Sequence, residues 1–110
     1  MDNLGLFRQL SQTAIEADFS EQGYKIYFAL MNQTFGYDRK SDCLSDHHLA
    51  ELAHIPLEEL STAVQLVLDS GIFDRKVMAL KVMEINRYEY SVGSAFLKGY
   101  TGDFKAPDIF

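Results

Sequence analysis

Between Ser41 and Gly71 the chain has no lysine and no arginine, although it carries Asp42, Asp46, Glu51, Glu58, Glu59 and Asp69. Outside that segment, basic and acidic side chains cancel, so the whole formal charge of −6 resides there. Other absences narrow the field. A single cysteine, Cys43, excludes an internal disulfide and points to a reducing cytoplasm. No apolar run approaches the ~20 residues that span a bilayer, and Met1-Asp2-Asn3 lacks the basic, then apolar, start of a signal peptide. There is no Gly-rich phosphate loop, nucleophile motif or carboxylate pair with a neighbouring base, so the expectation is a non-enzyme without cofactor. Cys43, Asp46, His47, His48 and His54 hold one i, i+4 pair, His47 and Glu51. No second pair at ligand spacing accompanies it, and no metal is expected.

What is present is enough for one domain: 110 residues, 47% of them hydrophobic. The expected division is a domain over residues 1–98 and a tail over 99–110. Leu4, Phe7, Leu10, Ala14 and Ile15 recur at helical spacing and predict a helix over about Asn3 to Ala17. Ser20 is a good N-cap for a second helix. Its apolar stripe of Tyr24, Tyr27, Phe28, Met31 and Phe35, widened by Ile26 and Leu30, ends near Gly36. Tyr37 to Asp42 reads as a turn. Ser45 then caps a short helix that turns Leu49, Leu52 and Ala53 inward. Pro56 is placed at the first position of the next helix, which buries Leu60, Val64, Val67 and Leu68 and stops at Gly71. Val77 to Asn86 and Tyr88 to Val92 are rich in β-branched and aromatic residues and predict a hairpin. The fold class expected is mainly α with a small β-hairpin: a winged helix-turn-helix with an additional N-terminal helix.

Several of these stretches resemble the N-terminal domain of phage replication protein O, the lambda-type origin-binding initiator. The resemblance runs from about Phe19 to Tyr90. It rests on Gln33-Thr34-Phe35-Gly36-Tyr37, on Leu44-Ser45 with Leu49-Ala50-Glu51-Leu52-Ala53, on Leu66 to Ile72 ending Asp69-Ser70-Gly71-Ile72, and on Glu84-Ile85-Asn86-Arg87-Tyr88. It implies a winged helix that binds repeated sites at a replication origin. In that family a separate C-terminal part recruits the helicase machinery; with the sequence closing shortly after the wing, no counterpart of it is expected here. The second departure concerns the recognition helix. It offers Glu58, Glu59, Ser61, Thr62 and Gln65 outward, where the resemblance leads one to expect arginine or lysine.

Two binding functions are therefore expected as alternatives. In the first, the chain binds duplex DNA. Ser61, Thr62 and Gln65 read base edges, while Arg39, Lys40, Arg75, Lys76 and Lys81, with Arg87 beside them, supply the phosphate contacts that carry affinity. In the second, Asp42, Asp46, Glu51, Glu58, Glu59 and Asp69 form an acidic face. That face would cover a basic nucleic-acid-binding surface of a host protein, as anti-CRISPR proteins or antirepressors do. Either way the setting is the bacterial cytoplasm, without membrane attachment. The closing Pro107-Asp108-Ile109-Phe110 resembles the acidic, Phe-terminated tip of bacterial single-stranded-DNA-binding proteins, without the aspartate run and the penultimate proline.

Overall fold

The computed structural model describes residues 2–78, 87–98, 100 and 102. Helix α1 spans Asn3–Ala17, where the Asp2 side chain accepts from the Gly5 N–H at 2.8 Å. Asp18, in the left-handed conformation at φ 52°, ends it. Helix α2 spans Glu21–Thr34, capped by Ser20 as the sequence predicts, and runs into a 3-10 turn over Phe35–Tyr37. Strand β1 (Ser41–Ser45) follows, then α3 (Asp46–Ala53), α4 (Leu57–Asp69), β2 (Phe73–Val77), β3 (Arg87–Val92) and a 3-10 turn over Ser94–Leu97. The sheet is antiparallel in the order β1-β3-β2. From α2 onward, the succession helix, strand, helix, helix, strand, strand is that of a winged helix, with α1 as the additional helix.

The core lies between α2, α4 and the sheet. Ile26, Leu30, Leu44, Leu49, Val64, Val67, Ile72, Phe73, Tyr90 and Val92 are all essentially inaccessible. Leu6, Leu10 and Ala14 bring α1 onto the same cluster. Gly23 is part of this arrangement: a Cβ there would stand 3.0 Å from Phe19 Cβ and 3.3 Å from Leu66 Cδ1, so a first-turn glycine lets Phe19 of the α1–α2 connection and Leu66 of α4 close on α2. Gly71, at φ 79°, takes the left-handed conformation that turns the chain from α4 toward β2.

The structure corrects the sequence reading in four places. Phe28 is 64% exposed rather than buried; the stripe of α2 centres on Ile26 and Leu30, and Phe28 lies beyond its edge. On α1, Leu6, Leu10 and Ala14 face inward, whereas Leu4, Phe7 and Ile15 are exposed, because the inward face is rotated from the one that those three residues suggested. Pro56 is the N-cap of α4, one residue before its first turn. The strands differ most. The turn predicted over Tyr37 to Asp42 gives way at Ser41 to a strand, Ser41–Ser45, and β2 begins at Phe73, ahead of the predicted start at Val77. Residues 79–86 of the first predicted strand, Lys81 among them, lie outside the described residues, as does most of the C-terminal tail. Of that tail, Tyr100 packs against the core, and its hydroxyl donates to the Asn3 side chain.

Candidate nucleic-acid interface

Helix α4 is held by Leu60, Ala63, Val64 and Val67 and turns Glu58, Glu59, Ser61, Thr62, Gln65 and Asp69 to solvent. Three of these polar groups are already engaged. Gln65 Nε2 donates to Asp69 Oδ1 at 2.7 Å, and Glu59 Oε2 accepts from Gln22 Nε2 at 2.8 Å. The acidic residues Glu58 and Glu59 sit in the first turn of the helix, where carboxylates favour the macrodipole.

The cations expected to grip a backbone separate into three groups. Arg39 is tied down: its Nη2 lies 3.2 Å from Asp42 Oδ2, its Nε donates to the Gln33 carbonyl at 3.1 Å, and its guanidinium lies 5.0 Å from the centre of the Tyr37 ring. Lys40 is exposed just before β1, where its carbonyl accepts from the Val92 N–H. Arg75, Lys76 and Arg87 are exposed on the β2–β3 hairpin. Strand register places them. Lys76 is opposite Glu89, and Arg87, two residues from Glu89, shares that face of the sheet. Arg75 projects on the other face, opposite Tyr90, with its guanidinium 4.2 Å above the Tyr88 ring.

The predicted acidic face is likewise divided. Asp42, with a side chain only 13% exposed, is spent on Arg39, so one member of each predicted set neutralises the other. Asp46 is half-buried at the start of α3, close enough to Tyr90 for its charge to raise that phenol. Glu51, Glu58, Glu59 and Asp69 remain exposed on α3 and α4. Sequence reasoning missed Tyr88 and Gln22 as partners of site residues. The alternation Tyr88-x-Tyr90 in a short strand was the available signal for the first; nothing local announced the second.

Burial, with the Glu89 and Asp42 carboxylates adding to it, pushes the Cys43 thiol up, away from the thiolate a nucleophile needs. Among the described residues no three His, Cys, Asp or Glu side chains gather where they could hold a metal. A groove of about 270 Å³ between α1 and α2 is lined by Phe7, Ile15, Tyr24 and Phe28, among others, and is almost wholly apolar. No described helix is long and apolar enough to cross a membrane.

Residues 4–89 match the family described as Bacteriophage replication protein O. No curated protein and no solved structure matches the chain.

Proposed function

The chain belongs to the bacteriophage replication protein O family, and we propose that it is a non-enzymatic duplex-DNA-binding module that acts at a phage replication origin in the bacterial cytoplasm. The observation that carries this reading is a winged-helix arrangement, α2 through β3, which the family match covers from its start as far as Glu89. In this arrangement α4 exposes Ser61, Thr62 and Gln65, side chains able to donate to or accept from base edges in a major groove. Lys40, Arg75, Lys76 and Arg87 are exposed cations available for phosphates. Lys81 would join them from the segment between β2 and β3. Arg39 drops out of the contact set, because its charge and its Nε–H are already satisfied within the domain.

Titration of the purified chain into fluorescent origin fragments of the phage, followed by anisotropy across a salt series, tests the reading. Saturable binding that weakens steeply with salt is the expected result. An absence of duplex binding at low salt would exclude it.

One observation favours a second reading. Glu51, Glu58, Glu59 and Asp69 are exposed on α3 and α4 with no lysine or arginine in the same segment. A basic protein surface that ordinarily holds nucleic acid is the complement such a face would fit, with association accelerated at low salt. Recovery of a basic nucleic-acid-binding complex from nuclease-treated host lysate, and its loss on Glu58→Lys, would favour this second reading.

A further inference from the structure

We propose that Arg75, stacked on Tyr88, is the pre-positioned cation that grips the DNA backbone, so that affinity for duplex DNA resides on strand β2 of the wing rather than on α4. The inference rests on the duplex-DNA reading above and adds the surface that does the holding.

Helix α4 is acidic on its exposed side. Glu58, Glu59 and Asp69 are exposed on it, and no cation lies between Ser41 and Gly71 to offset them. Phosphate neutralisation supplies most of the non-specific binding free energy, and this helix cannot provide it. The described cations elsewhere are not equivalent, and Lys40, exposed just before β1, stands outside the β2–β3 hairpin. Lys25 pairs with Glu21, and Arg39 with Asp42. Arg8 lies on α1 and Lys98 beyond β3, both outside the winged-helix unit. Lys76 and Arg87 share a sheet face with Glu89, which lies directly across from Lys76 and two residues from Arg87, and so offsets part of their charge.

Arg75 is different because of its face and its support. Its cross-strand neighbour is Tyr90, and the next residue on that row is Asp42, whose charge is taken by Arg39. Asp46 also feels this region from α3, but it makes no ion pair with Arg75 within 4.0 Å among the described residues. The support is a short ladder of rings. Tyr90 is fully buried, and Tyr88 meets it edge-on, with centroids 6.2 Å apart and planes at 64°. The Arg75 guanidinium then lies 4.2 Å from the Tyr88 centroid. The guanidinium also approaches the Tyr90 hydroxyl on one side; stacking keeps the remaining N–H groups of its rim available for contact with phosphate oxygens. Because the stack restricts the side chain beforehand, less conformational freedom is lost on binding. Val77, 73% exposed and opposite Tyr88 on the same face, leaves the approach to this cation unobstructed by charge.

The test measures anisotropy of a fluorescent duplex of arbitrary sequence across a salt series, for the full chain and its variants. Arg75→Ala is expected to weaken binding by at least about tenfold at low salt, the scale of one charge-assisted contact. It should also make the slope of log K against log salt shallower by about 0.9, one phosphate contact. Tyr88→Ala should lower affinity in the same direction, and Tyr88→Phe, which keeps the ring, should restore it. Ser61→Ala and Thr62→Ala should leave the salt slope unchanged. Binding by the unaltered chain together with an unchanged Kd and slope for Arg75→Ala would overturn the inference while leaving the DNA-binding reading in place. If the unaltered chain binds no duplex, the functional reading fails and this inference fails with it.

Discussion

The Arg39 guanidinium lies 3.2 Å from the Asp42 carboxylate, and the two side chains are only 16% and 13% exposed. The same arginine donates to the Gln33 carbonyl near the end of α2 and covers the Tyr37 ring, while its own backbone N–H donates to Thr34. It therefore fastens the aromatic-Gly-aromatic turn to the start of β1. Arg39→Ala should destabilise the domain by about 1–3 kcal/mol, because it leaves a half-buried carboxylate without its partner. Arg39→Lys should recover only part of this, since an ammonium cannot reproduce the planar fork. Thermal unfolding measures the loss. The salt dependence of DNA binding should not change in either variant, and a change there would return Arg39 to the contact set.

Val64 and Phe28 provide a paired test of the core. Val64 is 2% exposed in the centre of α4, whereas Phe28 is 64% exposed on α2. Val64→Ala should cost about 1–3 kcal/mol, below the ~2–5 typical of larger buried side chains. Phe28→Ser, despite removing far more apolar surface, should change stability by no more than about 0.5 kcal/mol. Chemical denaturation of both variants gives the comparison, and a larger loss for Phe28→Ser would invert the assignment of the inward face of α2.

These two positions also show what the sequence makes legible. Capping chemistry located Ser20 and Ser45 correctly, and Gly71 marked the end of α4, because those signals are local. The phase of α1 and α2 was less legible. Both helices carry apolar residues over more than half of their circumference, so periodicity alone does not say which of Leu4, Leu6, Phe7 or Phe28 faces the core. Strand β1 was hidden because only Leu44 of Ser41–Ser45 is buried, and β2 because Asp74, Arg75 and Lys76 are all exposed. Where a wing leaves both faces of a strand in water, no alternation is required of the sequence. The candidate cations could be named from composition, but that Arg39 is consumed by Asp42, and Arg75 poised by Tyr88, depends on register.

Tyr90 offers a prediction in pH. Its hydroxyl is buried and makes no well-formed hydrogen bond among the described residues. Burial raises the phenol above its ordinary 10.0, partly opposed by Arg75, with the Asp46 carboxylate and Tyr88 adding to the rise. Burial raises Tyr27 as well, against a weak contact with Ser11. Above pH 10 the unfolded chain therefore loses phenolic protons that the folded chain retains. The folded state then binds more protons, so stability must fall as pH rises through that region. Tyr90→Phe should make this alkaline decline shallower. Near neutral pH it should be neutral or stabilising by up to about 1 kcal/mol, since it removes an unsatisfied buried hydroxyl. Denaturant midpoints measured from pH 8 to pH 11 would show both effects, and a loss of more than that amount at pH 7 would mean that the hydroxyl has a partner.

The first turn of α4 separates the two functional readings by sign. Glu58 and Glu59 are both exposed there, and each favours the helix macrodipole by ~0.3–1 kcal/mol. They are not interchangeable, because Glu59 accepts a hydrogen bond from Gln22, whose Oε1 is already buried without a partner. Glu59→Lys disturbs that contact, while Glu58→Lys alters little except charge, so the single change is the cleaner instrument and the double change the stronger one. If α4 approaches a phosphate-lined groove, either variant should bind duplex DNA more tightly, and the double variant should have a salt slope steeper by up to about 1.8, two added phosphate contacts. If the acidic face docks on a basic protein surface, the same variants should instead lose the partner, through slower association at low salt. Anisotropy with duplex DNA and a pull-down from nuclease-treated lysate read the two outcomes on one set of proteins. Stronger DNA binding by Glu58→Lys with an unchanged slope for Ser61→Ala is the combination expected here: α4 lies near the DNA, repels it at present, and leaves the grip to the wing.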